Sequence, residues 1–321
     1  MSLFLQPLDL TRFHPLTHCG ICNSTSLIPY HSLRIDLSIY IDQDPELSKY
    51  SNIELHLCRC SICGFGQPQA LPTIPNYFDR MYDQRWSHEW IENEFTSGYK
   101  DAIFNATWRD LEKLLPHNSR SHLDIGTHVG RFPFLGKQRG WNSEGIELNP
   151  RTRAFAQKTT GLPIHHLNAQ NLVNQGKTYD AVSLIDVLEH IPDPIPTLRM
   201  ASDLLRPSGI VVVKVPNGRM QHLKEEFRRK VQPSYRPSLA DNLVHVNHFT
   251  PHSLTLALQK AGFTEVKVKQ GVPEEYPPII GLRNILRNRS RPSFIYYFLM
   301  QCLPSVWGAP AYLHMQAYAR K

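Results

Sequence analysis

The sequence predicts an α/β protein, with a sheet covered by helices on both faces and a small cysteine-rich β module in front of it. Three observations predict this. Strand-like apolar runs at Ser121–Ile125, Asn142–Glu147, Ala181–Ile185 and Ile210–Pro216 alternate with helical segments, the pattern of βαβ units around a parallel sheet. The first run passes straight through an acid into a tight turn, Asp124-Ile125-Gly126-Thr127-His128-Val129-Gly130, and then into a helix. Two Cys-x-x-Cys pairs, Cys19/Cys22 and Cys60/Cys63, lie in the first 64 residues.

The chain divides by composition into a module at 1–75, a helical region at 76–118 and a core at 119–321. Its 321 residues suit one main domain plus an accessory unit, and 41% hydrophobic residues suffice for a sizeable core. In the module, each knuckle offers two thiolates, and the two together can close a tetrahedral zinc site on Cys19, Cys22, Cys60 and Cys63. Cys58 lacks the two-residue spacing and is left out. Four thiolates leave no open coordination position, so the zinc is expected to be structural. Between the knuckles, Ser32–Tyr40 and Ile53–Leu57 alternate like strands. Gln67–Pro75 reads as a proline-rich link.

Trp86–Leu115 carries apolar residues at helical spacing and reads as one or two helices, with Trp90, Phe95, Trp108 and Leu111 as core positions. In the core, a helix from Arg131 follows the first strand. A helix at Pro150–Thr160 follows the second, and Ile164–Leu167 forms a short third strand. A helix at Pro194–Leu205 precedes a turn at Arg206–Gly209, and another occupies Ser253–Gly262. Strands near Glu265–Gln270 and Leu313–Arg320 complete the sheet. His128 stands between Gly126 and Gly130 and must accept a turn conformation that glycine adopts freely; histidine is among the residues enriched at positive φ. The acid ending the second strand, Glu147, can accept hydrogen bonds from both hydroxyls of a ribose.

With Asp124–Gly130, Glu147 and Tyr179–His190 in this order, the chain resembles the class I S-adenosylmethionine-dependent methyltransferases. The paired knuckles, Gly64-Phe65, the prolines, Tyr77 and Tyr82 are similar to a subgroup with an amino-terminal zinc-binding domain, many of whose members act on sugars or secondary metabolites. The resemblance implies a Rossmann-like seven-stranded sheet whose last strand is antiparallel, with a substrate-covering lid at 271–310. It implies that Asp124 orders the turn and helps hold the methionine amino group. Gly126, Thr127, His128 and Gly130 would line the loop under the cofactor, and Glu147 and Leu148 would hold the ribose side. Asn168 and Ala169 would stand near the adenine, and Asp186 would close the site.

Methyl transfer to a hydroxyl benefits from a general base, and histidine titrates in the right range. His248 is the first candidate and His245 the second, both in Asn242–Pro251 after the fifth core strand. Glu189-His190 is expected to pack and cap a helix start. The leading expectation is methylation of a small molecule at oxygen or carbon. An RNA methyltransferase, using the zinc module and a basic surface (net charge +7) to grip phosphates, and an inactive cofactor-binding partner subunit stay open as readings. No secretory leader is visible. The longest apolar run, Phe294–Leu303, is too short for a membrane helix, so a cytoplasmic enzyme is expected.

Overall fold

A computed structural model of the protein describes residues 9–37, 42, 44–85, 87–118, 120–167, 169–231, 243–270 and 313–321. The expected lid at 271–310 and the expected adenine neighbour Asn168 lie outside these residues.

The amino-terminal module begins with β1 (Phe13–Pro15), β2 (Leu27–Ile35), a single-turn α1 (Pro45–Ser48) and β3 (Ile53–Cys60). It continues through β4 (Gly66–Pro68) and β5 (Ala70–Pro72). Strands β2, β3 and β4 form one antiparallel sheet in that order, and β1 pairs with β5. The proline-rich stretch after the second knuckle is therefore not a plain link. Its prolines are tolerated because β4 lies at a sheet edge and β5 belongs to a two-stranded ribbon, where a missing N–H breaks no central ladder.

Three helices follow: α2 (Tyr77–Arg85), α3 (His88–Thr96) and α4 (Asp101–Leu114). The core then runs β6 (Ser121–Ile125), α5 (Arg131–Gln138), β7 (Asn142–Ile146), α6 (Pro150–Thr160), β8 (Ile164–His165), α7 (Ala169–Asn174) and β9 (Tyr179–Ile185). A 3₁₀ turn at Leu188–His190 leads to α8 (Pro194–Asp203), β10 (Leu205–Pro216), α9 (Gly218–Val231), α10 (Pro251–Lys260), β11 (Thr264–Gln270) and β12 (His314–Arg320). One boundary differs from expectation for a local reason. The turn at Arg206–Gly209 survives only as an irregularity inside β10, with Ser208 at φ 63° and a register shift between Leu205 and Ile210. Helices α1, α2, α7 and α9 were not anticipated: α1 and α7 are very short, and α2 and α9 are dominated by polar residues.

The core sheet has the order β8-β7-β6-β9-β10-β12-β11. Strands β6 to β10 are parallel, and β12 runs antiparallel to both its neighbours, as the resemblance implied. Strand order reverses between β6 and β9, and in open α/β sheets the crevice beyond the strand ends at such a switch point is where ligands bind.

The module and the core share apolar packing. Cys19, Ile21, Cys60, Cys63 and Phe65 lie in one buried cluster with Phe249, Leu254 and the sheet residues Leu184 and Val213. Phe65 meets Phe249 at 5.2 Å between ring centroids. A second cluster joins Phe13, Leu33, Ile35, Leu55 and Leu57 to Leu243, Val244 and Val246. Gly66 and His248 also exchange two backbone hydrogen bonds, Gly66 N to His248 O at 3.0 Å and His248 N to Gly66 O at 2.8 Å. The segment 243–250 is thus the joint between the two parts.

Candidate active site

The loop between β6 and α5 is built as the sequence demanded. Gly126 (φ 72°), His128 (φ 53°) and Gly130 (φ 76°) all adopt left-handed backbone. A Cβ on Gly126 would come within 2.6 Å of Val187 Cγ2, so this glycine lets the β6 and β9 ends approach each other. Within the loop, the amides of Gly126 and Thr127 donate to the Ile146 carbonyl and that of Gly130 donates to the Thr127 carbonyl. The His128 amide donates to Glu147 Oε2 at 2.7 Å. The pairing of β6 with β7 places the Ile146 carbonyl and the Glu147 carboxylate within reach of the Gly126, Thr127 and His128 amides.

What the crevice does offer is a pair of carboxylates. Glu147 also accepts from the Asn149 amide at 2.8 Å, so each oxygen is fixed by one backbone bond and retains acceptor capacity. Burial raises its pKa, against those two amides. Asp124 is 2% exposed and accepts from Ser183 Oγ at 2.5 Å. Burial raises its carboxyl to about 7, opposed by the hydrogen bond from Ser183 and reinforced by the charge on Glu147. Ser183 in turn bonds His122, whose imidazole burial lowers to about 3. Leu148, beside Glu147, is 49% exposed, and Ala169 is buried at the start of α7.

Helices α3 and α4 roof this loop. Trp90 packs edge-on against the His128 ring at 5.3 Å, and Arg131 forks onto Asp101 at 2.9 and 2.5 Å. Burial, and then the charge of Lys100, lower the His128 imidazole to about 3, so it is neutral.

Asp186, at φ 56° beyond β9, is held by an ammonium group that sequence reading missed. Lys214 is 1% exposed inside β10, and its Nζ donates to both Asp186 oxygens at 2.6 and 2.8 Å. Lys100 lies 3.5 Å from the same carboxylate and 3.0 Å from Glu94. Burial would raise the Asp186 carboxyl, but Lys214 and Lys100 outweigh it and hold it below the ordinary range. A lysine in a run of valines gave no signal beyond its own identity.

Glu189 and His190 do not cap a helix start. They occupy the 3₁₀ turn, and the α8 N-cap is Asp193. Glu189 is 1% exposed, and burial followed by the Asp186 charge pushes its carboxyl well up. His190 Nδ1 donates to the Val244 carbonyl at 2.5 Å. Its ring lies 4.9 Å from that of His245, and one ligand-type atom each from Glu189, His190 and His245 lie within 4.8 Å of one another. That donor set is able to hold a divalent cation or to pass a proton.

The two histidines proposed from sequence therefore differ. His245 is half-buried beside His190, on the carboxyl-end side of the sheet. His248 is 5% exposed, its Nε2–H donates to the His245 carbonyl at 3.1 Å, and burial lowers it to about 4.

In the module, the sulfurs of Cys19, Cys22, Cys60 and Cys63 all lie within 4.8 Å of one another, with Cys19–Cys63 at 3.5 Å and Cys22–Cys60 at 3.4 Å. Bonds of ~2.3 Å in a tetrahedron would separate zinc-bound sulfurs by about 3.8 Å, so the donor set fits a zinc ion. Cys58 is buried in β3 and outside this cluster.

A family model described as a methyltransferase domain matches residues 99–268. The chain is 30% identical over 169 residues to a ubiquinone biosynthesis O-methyltransferase of Dinoroseobacter shibae, covering 50% of this chain and 66% of that protein. It is 32% identical over 114 residues to the same-named protein of Cereibacter sphaeroides, covering 34% and 46%. The chain thus spans about half to two thirds of the length of these curated relatives. Among solved structures, a SAM-dependent methyltransferase from Archaeoglobus fulgidus matches at TM-score 0.48 and 21% identity, over 73% of this chain and 100% of that one. The plantazolicin methyltransferase BpumL, in complex with SAH, matches at TM-score 0.49 and 14% identity, over 76% and 94%. The family model spans more than half of the chain, including the β6–α5 loop, Glu147, Asp186 and the joint segment, and this chain belongs to the methyltransferase domain family.

Proposed function

We propose that the protein transfers a methyl group from S-adenosylmethionine to an oxygen of a small molecule. The observation that carries this reading is the pair of carboxylates beside the switch point, buried Asp124 near the end of β6 and half-buried Glu147 directly after β7. Glu147, fixed through two backbone amides, retains acceptors for two ribose hydroxyls. Asp124 presents a carboxyl to the methionine ammonium, and exposed Leu148 offers an apolar face for the adenine. Bound S-adenosylmethionine supplies an electrophilic methyl on a sulfonium; the protein's share is to position the acceptor oxygen in line and take its proton.

His245 suits that proton better than His248. The Nε2 of His248 already donates within the backbone and the ring is buried, whereas His245 is half-buried against His190. With Nδ1–H on the Val244 carbonyl, His190 holds its Nε2 3.9 Å from Glu189 Oε1, beside the His245 ring. The relatives' names favour oxygen over carbon as the acceptor atom; sugars and secondary metabolites remain the acceptor class suggested by the paired knuckles. The four cysteines hold a structural zinc, and the module at 1–75 acts with the core rather than as a separate reader of RNA.

The test is calorimetric titration with S-adenosylmethionine and, as a control, a nicotinamide dinucleotide, followed by transfer of labelled methyl to a panel of phenols and sugars. Binding of the first and not the second is expected. In His245→Ala, turnover should fall by about 10²–10⁴-fold with cofactor affinity unchanged. Binding of the nicotinamide cofactor alone would refute the reading, and full turnover in His245→Ala would remove the base assignment.

A further inference from the structure

Resting on the reading of His245 as the acceptor-side base, we propose that Tyr30 and His222 are positioning residues for the reaction. They pin His248, and His248 holds the backbone of His245 in the place where its ring faces His190. The amino-terminal module thereby contributes a side chain to the arrangement of the site.

Three chain segments meet at this point. Tyr30 comes from β2 of the module, His222 from the first turns of α9, and His248 from the joint segment. The Tyr30 hydroxyl lies 2.5 Å from His222 Nε2, and the two rings meet edge to face at 4.6 Å. The direction of that bond follows from the surroundings. Burial, then His248, His31 and Arg59, lower the His222 imidazole to about 3, while burial pushes the Tyr30 phenol up, so the phenol donates and the neutral imidazole accepts. His222 then leans on His248 at 5.2 Å and on His31 at 5.8 Å between centroids.

His248 has little freedom to move. A Cβ on Gly66 would lie 2.9 Å from both His248 Cβ and the Tyr30 hydroxyl, and a Cβ on Gly218 would lie 2.9 Å from His248 Cβ and its carbonyl carbon. Backbone from the module and from α9 thus presses on the residue from two sides. His222 closes the side carrying the ring, whose Nε2–H reaches back to the His245 carbonyl at 3.1 Å.

The other ties of the segment run to the core. The amides of Val246 and Asn247 donate to the Glu189 carbonyl, and the Asn247 side chain donates to Leu188 and Ile191. His245 therefore sits between a stretch clamped to the 3₁₀ turn and a residue clamped to the module. A ring held this way can be displaced by less than an ångström without unfolding anything, and such a displacement matters for a proton acceptor.

The experiment uses the full chain, zinc-loaded and saturated with S-adenosylmethionine. Histidine ring resonances are followed by NMR through a pH titration, and carbethoxylation of His245 by diethylpyrocarbonate is timed by mass spectrometry. Tyr30→Phe removes one hydroxyl at constant shape; it should move the His245 titration midpoint by about half a pH unit or more and change its carbethoxylation rate several-fold. His222→Leu should do the same. His222→Gln, whose side-chain oxygen can still accept from Tyr30, should return both readings towards wild type. Zinc content and cofactor affinity should hold in all three. An unmoved His245 midpoint in both Tyr30→Phe and His222→Leu overturns the proposal, as does a change that tracks only lost zinc or lost folded protein. Full turnover in His245→Ala defeats the base reading alone, because the ring's titration still reports whether Tyr30 and His222 set its position.

Discussion

Cofactor binding should be linked to the ionisation of Asp124. In the free protein its carboxyl is raised to about 7 by burial, with 2% of the residue exposed and Glu147 nearby. A bound methionine ammonium would favour the ionised carboxylate, so binding below neutrality must release the proton. If the complex keeps Asp124 ionised throughout, affinity follows the ionised fraction of the free protein. From pH 7.5 to pH 6 that fraction falls roughly eightfold, equivalent to ~1.3 kcal/mol. Isothermal calorimetry at both pH values gives the affinity ratio, and two buffers of different ionisation enthalpy count the released protons. Close to one proton should be released at pH 6 and far less at pH 7.5. In Asp124→Asn the pH dependence should vanish and affinity should fall at both values. A wild-type affinity that is flat across this range, or an equal slope in Asp124→Asn, refutes the argument. The sign for stability is separate. A carboxyl raised above its ordinary 3.8 contributes stability fully present below that value, so the apoprotein should lose stability as pH rises through about 7.

Further outcomes follow from neighbouring geometry. Glu147→Ala should weaken S-adenosylmethionine by about 1–3 kcal/mol in calorimetry, through unpaired ribose hydroxyls and the freed amides of His128 and Asn149. Elemental analysis should find one zinc per chain, lost on thiol modification, while Cys58→Ser should leave the content unchanged because its sulfur is outside the cluster. Lys214→Met should cost about 3–5 kcal/mol in denaturant unfolding, because it leaves the Asp186 carboxylate without its principal counter-ion. A cost below 1 kcal/mol would show that Lys100 alone suffices.

Where the sequence was legible, local chemistry decided the outcome. The β6 and α6 bounds were read from apolar runs and from a proline at the start of the helix, since these depend on nearest neighbours. The left-handed turn at His128 was legible because flanking glycines and a tight acid-containing turn leave few conformations. The module's strands were misread where prolines suggested a link; whether a proline ends a strand depends on which edge it faces, and pairing partners tens of residues away set that. Glu189 and His190 looked like helix-cap residues because the sequence could not say that the chain would return 54 residues later to place Val244 and His245 against them.

By itself the sequence determined the order of the core strands, the two acids at the strand ends and the four thiols at knuckle spacing. These follow from periodicity and from short-range geometry, which act over a few residues. Only the tertiary structure decided which charges neutralise each other, as with Lys214 and Asp186, and which histidine is accessible and which is pinned. Those outcomes depend on burial and on contacts between distant segments. The desolvation of a carboxyl or an imidazole arises only when the chain closes around it.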